Sequence, residues 1–310
     1  MSKHLLGLQK TGREEIVKIL ERAAYFDGYR HQKLSNLRRA SVAALFFEPS
    51  TRTRFSFEVA AKWLSADFYN FSTESSSVVK GESLLDTVNT LKSMGINAMI
   101  VRHWASGILE WLSSRVSGVS LINAGDGAHE HPTQALLDLY TIQKYHQSLE
   151  NKKVVMIGDI KHSRVVRSSV TGLKTLGADV TLIGPPTLLP GEFARDGLNL
   201  SWEVSPHLQE ADVVYMLRLQ QERQKTGLIP SMKEYTSLYG LNEERVKQLK
   251  PGAIVMHPGP MNLGVEITAE ALEKMEEHPE IRLSINEQVE NGIVVRAAVL
   301  DYLLGENKDE

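Results

Sequence analysis

A chain of 310 residues is long enough for two domains, each with a core of its own. Its apolar content of 42% and charged content of 24% are those of a folded globular protein, and a net charge of −3 gives no global attraction to nucleic acid or an anionic membrane, so any anion site must be local. The lack of cysteine excludes disulfides, thiolate catalysis and cysteine-ligated zinc. The start, MSKHLLGLQKTGREE, has too short an apolar run for a signal peptide, and no run reaches the length of a membrane span, so a cytoplasmic location is expected.

In chain order, residues 11–25 read as an amphipathic helix with Thr11 as its N-cap. Residues 41–47 read as a buried strand, and 51–65 as a helix on which Phe55, Val59 and Trp63 share a face at i, i+4 spacing. Residues 70–81, polar and small, read as a loop, 83–94 as a helix and 97–102 as a strand. LINAGDGAHEHP is a strand followed by a glycine-broken loop, and 133–146 is a helix with Pro132 near its first turn. KVVMIGD, ADVTLIG, ADVVYML and AIVMHPG then form strands separated by helix-length segments, and GIVVRAAVLDYLLG closes the chain as a helix with a large apolar face. Residues 221–240 are long and polar for a compact domain and read as a closing lid. The alternation predicts an α/β protein of two domains, each a mainly parallel sheet flanked by helices.

Polar clusters follow the strands. Ser50-Thr51-Arg52-Thr53 stands where the 41–47 strand gives way to a helix. A helix start leaves backbone N–H groups unpaired and its dipole favours an anion, so hydroxyls and a planar guanidinium there are built like a phosphate cradle. The bland alternative is a capped surface helix with two solvated arginines. Arg102-His103, His131 to Gln134, Asp159 to Arg164, Arg218 to Gln220 and His257 to Pro260 each follow a further strand. Ligands of parallel sheets bind beyond the carboxyl ends of the strands, so several such clusters point to one shared cleft.

FEPSTRTRFSFE, VKGES, VRH, NAGDGAHEHPTQALLDL, GDIKHSRVVRS, LRLQQER and MHPGPMN together resemble the catalytic chains of aspartate carbamoyltransferases over nearly the whole length and in the same order. STRTR and HPTQ are shared by carbamoyltransferases generally, whereas GDIKHSR and LRLQQER point to aspartate. The resemblance implies transfer of the carbamoyl group of carbamoyl phosphate to the amine of L-aspartate, the committed step of pyrimidine biosynthesis, with no metal or organic cofactor. It implies an active site in the cleft between a carbamoyl-phosphate-binding domain, residues 1–133 with 288–310, and an aspartate-binding domain, residues 134–287.

Residue by residue, the resemblance gives Ser50, Thr51, Arg52 and Thr53 the phosphate. Arg102 bridges phosphate and carbonyl oxygen, and Thr53, Arg102 and His131 form the catalytic oxyanion site. Gln134 and the backbone of Pro258 and Gly259 hold the carbamoyl amide. Arg164, Arg218, Gln220 and Lys80 bind aspartate, whose two carboxylates suit two guanidinium forks. Ser76 and Lys80 come from a neighbouring subunit, making a homotrimer with shared sites. Regulatory or other pyrimidine-pathway subunits are further partners the resemblance leaves room for. Many family members carry leucine where this chain has Gly259.

Rival readings attach to several of these residues. His129-Glu130-His131 is a His-x-His pair that could ligate a metal, although no compact second cluster supplies further ligands; His131 could also be a structural histidine before a proline. Arg218 could be a surface charge at a strand end, and Arg164 a first-turn residue where a cation is unfavourable. GDIKHSR lacks the G-x-G-x-x-G of a dinucleotide site, which excludes a nicotinamide cofactor. Two other functions compete: an ornithine-type carbamoyltransferase, whose His-Cys-Leu-Pro segment is absent and whose cationic acceptor two arginines would repel, and a non-catalytic partner chain on the same fold.

Overall fold

The computed structural model describes residues 3–30, 32–71, 82–220, 227–229 and 231–305. In chain order the elements are α1 (Arg13–Asp27), β1 (Ser41–Phe46), α2 (Thr51–Trp63), β2 (Asp67–Phe71), α3 (Leu84–Ser93), β3 (Ala98–His103), α4 (Ile108–Ser113), β4 (Ser120–Asp126) and α5 (Pro132–His146). There follow β5 (Lys153–Ile157), α6 (Arg164–Thr175), β6 (Asp179–Ile183), α7 (Glu192–Arg195), β7 (Asn199–Ser201), α8 (Ser205–Leu208), β8 (Val213–Met216), α9 (Met232–Tyr239), α10 (Glu243–Val246), β9 (Ile254–Met256), α11 (Ala269–Glu277), β10 (Arg282–Leu283) and α12 (Ile285–Leu304). The chain divides into two compact units. Unit 1 comprises Met1–Tyr140, Arg167–Gly172 and Val289–Glu310, and unit 2 Thr141–Val166 and Leu173–Gln288.

Unit 1 is built on a four-stranded sheet in the order β2-β1-β3-β4, and every pairing is parallel. Its central strands read as continuous apolar runs because both faces are covered: Val42 to Leu45 and Ala98 to Val101 are all buried. Unit 2 holds a six-stranded sheet in the order β10-β9-β8-β5-β6-β7, again wholly parallel. Its core joins Val155, Ile157, Val214, Met216 and Val255 of the sheet to Ala271 and Met275 of α11. The closing helix α12 buries Val294, Val295, Ala297, Ala298, Val299 and Leu300, as its apolar face requires.

The structure corrects one local expectation and adds detail to two others. Thr11 does not cap α1: Gly12 is the N-cap, and the Thr11 hydroxyl donates instead to the Gly7 carbonyl at 2.8 Å. In α2 the buried stripe is Thr53, Phe57, Ala60 and Ala61, whereas Phe55 is 52% and Val59 46% exposed. The face shared by Phe55 and Val59 is therefore the outward one, and Thr53, Phe57, Ala60 and Ala61 turn inward. Residues 232–239 of the segment read as a lid form α9. Its cap Ser231 accepts from the Glu234 N–H at 3.1 Å, and Tyr235 and Tyr239 enter the core of unit 2. Residues 221–226 and 230 of that lid lie outside the described residues.

The face assignment of α2 is directly testable. Phe57→Ala should destabilise the protein by about 3–5 kcal/mol, and Phe55→Ala by no more than about 0.5 kcal/mol, in denaturant unfolding. Equal losses would put the helix the wrong way round.

Candidate functional site

Because β1, β3 and β4 are neighbours and parallel, their carboxyl ends lie at one edge of the unit 1 sheet, with Phe46 paired to Arg102. Phe47 continues the ladder by donating to the Arg102 carbonyl at 2.9 Å, and the chain then turns through Pro49 into α2. Ser50 is the N-cap in position and extended in conformation, yet its side chain makes no capping hydrogen bond. The first-turn N–H groups are therefore not taken up by the Ser50 hydroxyl, which is the state an anion site needs. In that turn Thr51 and Arg52 are exposed and Thr53 is buried.

Arg102 lies near the end of β3 with its side chain only 13% exposed. Its Nη1 donates to the Ala124 carbonyl of β4 at 3.1 Å, and its Nε lies 3.6 Å from Glu48 Oε2. These contacts hold the guanidinium at the strand ends. His131 precedes Pro132, the first residue of α5, and its carbonyl accepts from the Gln134 and Ala135 N–H groups. The His131 backbone N–H donates to Ser168 Oγ at 2.7 Å, and Ser168 in turn donates to the Glu130 carboxylate. Gln134, in the first turn of α5, donates from Nε2 to Asp138 Oδ1 at 3.1 Å.

The carboxylates here serve the backbone. Asp126 accepts from the Gly107 N–H (2.6 Å), the Glu130 N–H (3.1 Å) and Asn123 Nδ2 (2.8 Å), and pairs with His129 Nδ1 at 3.0 Å. His129 thus spends its ring on Asp126 and Glu130 its carboxylate on Ser168. Among the described residues no group of three His, Asp or Glu side chains could hold a metal ion. Burial raises the Glu130 pKa, with hydrogen bonds from Ser168 and the Leu8 and Gln9 N–H groups opposing it.

In unit 2 the neighbouring strands β9, β8 and β5 likewise end at one edge, with Ile157 paired to Met216 and Tyr215 to Met256. After β5, Gly158 has φ +136°, and a Cβ there would come within 3.0 Å of the Tyr235 hydroxyl and 3.1 Å of Leu217 Cβ, so only glycine fits. Asp159, fully buried, accepts from the His162 N–H at 3.2 Å and pairs with His162 Nδ1 at 2.9 Å. Ser163 caps α6 by accepting from the Val166 N–H at 3.3 Å. Arg164 is therefore the first residue of α6, and it is only 6% exposed. A buried cation at a helix start is doubly unfavourable, which argues against a merely solvated charge.

Arg218 and Gln220 follow β8, half-buried, and flank the buried Leu219. The Leu219 N–H donates to Glu266 Oε1 at 2.9 Å, so a buried carboxylate fixes the backbone between them. Glu266 also accepts from the Asn262 N–H (2.6 Å) and Asn262 Nδ2 (2.7 Å). After β9, His257 accepts at Nδ1 from the Gly259 N–H at 2.8 Å, so its ring proton sits on Nε2, which lies 3.7 Å from Glu266 Oε2. Pro258 and Gly259 follow; Gly259 has φ +62°, which glycine adopts without strain, and the Gly259–Pro260 bond is cis. Ser76 and Lys80 lie outside the described residues. Sequence reasoning missed Asp126, Asp138, Ser168 and Glu266. Asp126, Asp138 and Ser168 lie within the NAGDGAHEHPTQALLDL and GDIKHSRVVRS stretches and Glu266 outside them, but only burial in the fold marks their roles.

Burial by itself would raise the Glu266 pKa, but His257, the Leu219 N–H and Asn262 outweigh it and hold the carboxyl below the usual glutamate range. Its stabilisation is present above the unfolded glutamate pKa and disappears as pH falls through the depressed folded value. Glu266→Gln should therefore cost about 1.5–3 kcal/mol at neutral pH and show a shallower loss of stability below roughly pH 4.3. Calorimetry from pH 7 to pH 3 reads both, and an unchanged acid slope would refute the role of Glu266.

Known proteins match the chain end to end. The family model for aspartate/ornithine carbamoyltransferase, carbamoyl-P binding domain, matches residues 3–144, and that for the Asp/Orn binding domain matches residues 150–303. The aspartate carbamoyltransferase catalytic subunit of Heliobacterium modesticaldum is 49% identical over 306 residues, covering 98% of this chain and 96% of its own length. That of Natranaerobius thermophilus is 48% identical over 307 residues, with the same coverage of 98% and 96%. Among solved structures, aspartate transcarbamoylase from Trypanosoma cruzi in complex with carbamoyl phosphate and aspartate has a TM-score of 0.86 at 29% identity, covering 98% of this chain and 97% of that one. The same enzyme in complex with N-(phosphonacetyl)-L-aspartic acid also has a TM-score of 0.86 at 29% identity, covering 98% and 96%.

Proposed function

The chain belongs to the aspartate/ornithine carbamoyltransferase family, and on that footing we propose that it carries the carbamoyl group of carbamoyl phosphate to the amine of L-aspartate, giving N-carbamoyl-L-aspartate and phosphate in de novo pyrimidine biosynthesis. The observation that carries the assignment to aspartate is the pairing of near-full-length identity to aspartate carbamoyltransferase catalytic subunits with two arginines at the strand ends of unit 2. Arg164 and Arg218, joined by Gln220 and Lys80, suit an acceptor with two carboxylates and repel a cationic one.

In the reaction the aspartate amine attacks the carbonyl carbon, negative charge gathers on the carbonyl oxygen, and the C–O bond to phosphate breaks. The start of α2, with Ser50, Thr51, Arg52 and Thr53, holds the phosphate. Thr53, Arg102 and His131 stabilise the oxyanion, Arg102 also touching the phosphate. Gln134 and the backbone of Pro258 and Gly259 hold the carbamoyl amide. The amine is itself the nucleophile, and the departing phosphate takes its proton, so the reaction calls for neither a nucleophilic side chain nor a protein base. The rigid hold on Arg102 from the Ala124 carbonyl and Glu48 supports this reading.

The working unit is a homotrimer in which Ser76 and Lys80 of one chain complete a neighbour's site. Phe55 and Val59, exposed on α2, provide apolar surface for such a contact.

Arg102→Ala removes a charge-assisted contact worth about 1.5–3 kcal/mol, so kcat should fall at least roughly tenfold; an unchanged kcat would defeat its assignment. Assays with L-aspartate and L-ornithine should show transfer to aspartate alone, and transfer to ornithine or to neither would overturn the function. Mixing inactive Lys80→Ala chains with inactive Arg52→Ala chains should restore partial activity after reassembly. Mixtures that stay inactive would mean that each site is built from one chain.

A further inference from the structure

The Gln134 side chain sits half-buried in the first turn of α5 and donates from Nε2 to Asp138 Oδ1 at 3.1 Å. Asp138 is 2% exposed, far more buried than an ordinary helix-surface partner. One charged group that feels it is Arg296 of α12, 4% exposed, which donates from Nη1 to the Gly292 carbonyl at 2.9 Å and lies over the Phe57 ring at 5.3 Å. Burial lowers the Arg296 pKa to about 10, and the Asp138 charge opposes that fall. Arg296 is still a cation at neutral pH, and a cation beside Asp138 favours its carboxylate form.

An ionised carboxylate accepts hydrogen bonds and donates none. Asp138 can therefore bind only the NH2 end of the Gln134 amide, which turns Oε1 away from it. We propose that Asp138 is a positioning residue that fixes the orientation of the Gln134 amide, so that Oε1 is presented as an acceptor for the N–H of the carbamoyl group. This rests on the reading of Gln134 given above and extends it to the choice of acyl donor. Carbamoyl phosphate carries NH2 where acetyl phosphate carries a methyl group. A fixed acceptor pairs with the first and is left unsatisfied by the second, which is how a hydrogen-bonding site rejects an isostere.

The test compares the affinities of the full-length protein for carbamoyl phosphate and acetyl phosphate. Asp138→Asn offers both a donor and an acceptor to Gln134 and removes the selection. The affinity ratio should fall roughly tenfold, the worth of one hydrogen bond of about 1.4 kcal/mol. Gln134→Ala should lower it by a similar factor, and the double variant no further. Should Asp138→Asn leave Arg296 too poorly compensated to fold, Asp138→Asn with Arg296→Met removes both buried charges together and reads the same ratio. If Gln134→Ala lowers the ratio and the Asp138 variants weaken both ligands equally, or only lower Tm, the pair is a helix brace and the proposal falls alone. If Gln134→Ala leaves the ratio unchanged, the Gln134 assignment falls and the proposal with it.

Discussion

In a parallel sheet every strand ends at the same edge, and the site described here depends on that constraint. Antiparallel neighbours would send alternate loops to opposite edges. In unit 1 the parallel order β2-β1-β3-β4 brings the loops carrying Ser50 to Thr53, Arg102 and His131 to one edge. In unit 2 the central trio β9-β8-β5 does the same for Pro258 and Gly259, Arg218 and Gln220, and Arg164. The crossover helices then cover the central strands, whose interiors are apolar, while the edge strands β2, β7 and β10 stay largely exposed. Chemistry is left to the strand ends, the one place where polar groups meet water without breaking a core.

Loops at a sheet edge are soft unless something holds them, and buried carboxylates do this in both units. Asp126 and Glu130 brace the turn that leads to His131, the latter through Ser168. Asp159 braces the turn that leads to Arg164, and Glu266 binds the Leu219 backbone between Arg218 and Gln220. Each acid accepts from backbone or fixed side-chain donors, so its charge is spent locally. A buried carboxylate costs desolvation, and Glu130 shows that cost in its raised pKa. Glu266 receives enough donors to more than offset it. The return is preorganisation: donors fixed before substrate arrives need no reorganisation during the reaction.

The alternation of strands and helices was legible in the sequence because parallel strands are apolar on both faces and cannot be mistaken for surface. The strand-end clusters were legible for the complementary reason: arginine and histidine abruptly following such a run break its apolar character. What the pattern left unread was which face of a helix turns inward. On α2 the face shared by Phe55 and Val59 is exposed, while Thr53, Phe57, Ala60 and Ala61 are buried. On α9 the surrounding polarity hid Tyr235 and Tyr239, whose i, i+4 spacing reaches the core from a single face. The bracing acids were illegible for a further reason. Their partners are mostly backbone N–H groups, which leave no trace in a residue pattern.

The same geometry explains why so few side chains need to react. Attack by an amine on carbamoyl phosphate moves negative charge first onto the carbonyl oxygen and then onto the departing phosphate, which is already an anion. An enzyme for this step gains most from fixed donors and cations along that path. In the proposed site, the unoccupied capping role of Ser50, the restrained guanidinium of Arg102 and the braced His131 backbone would be features of that kind. A general base near the amine would have to be neutralised or desolvated in a setting already crowded with charge, whereas the leaving phosphate brings its own proton acceptor. Selection for position over reactivity follows, and it accounts for the investment of buried acids in holding loops still.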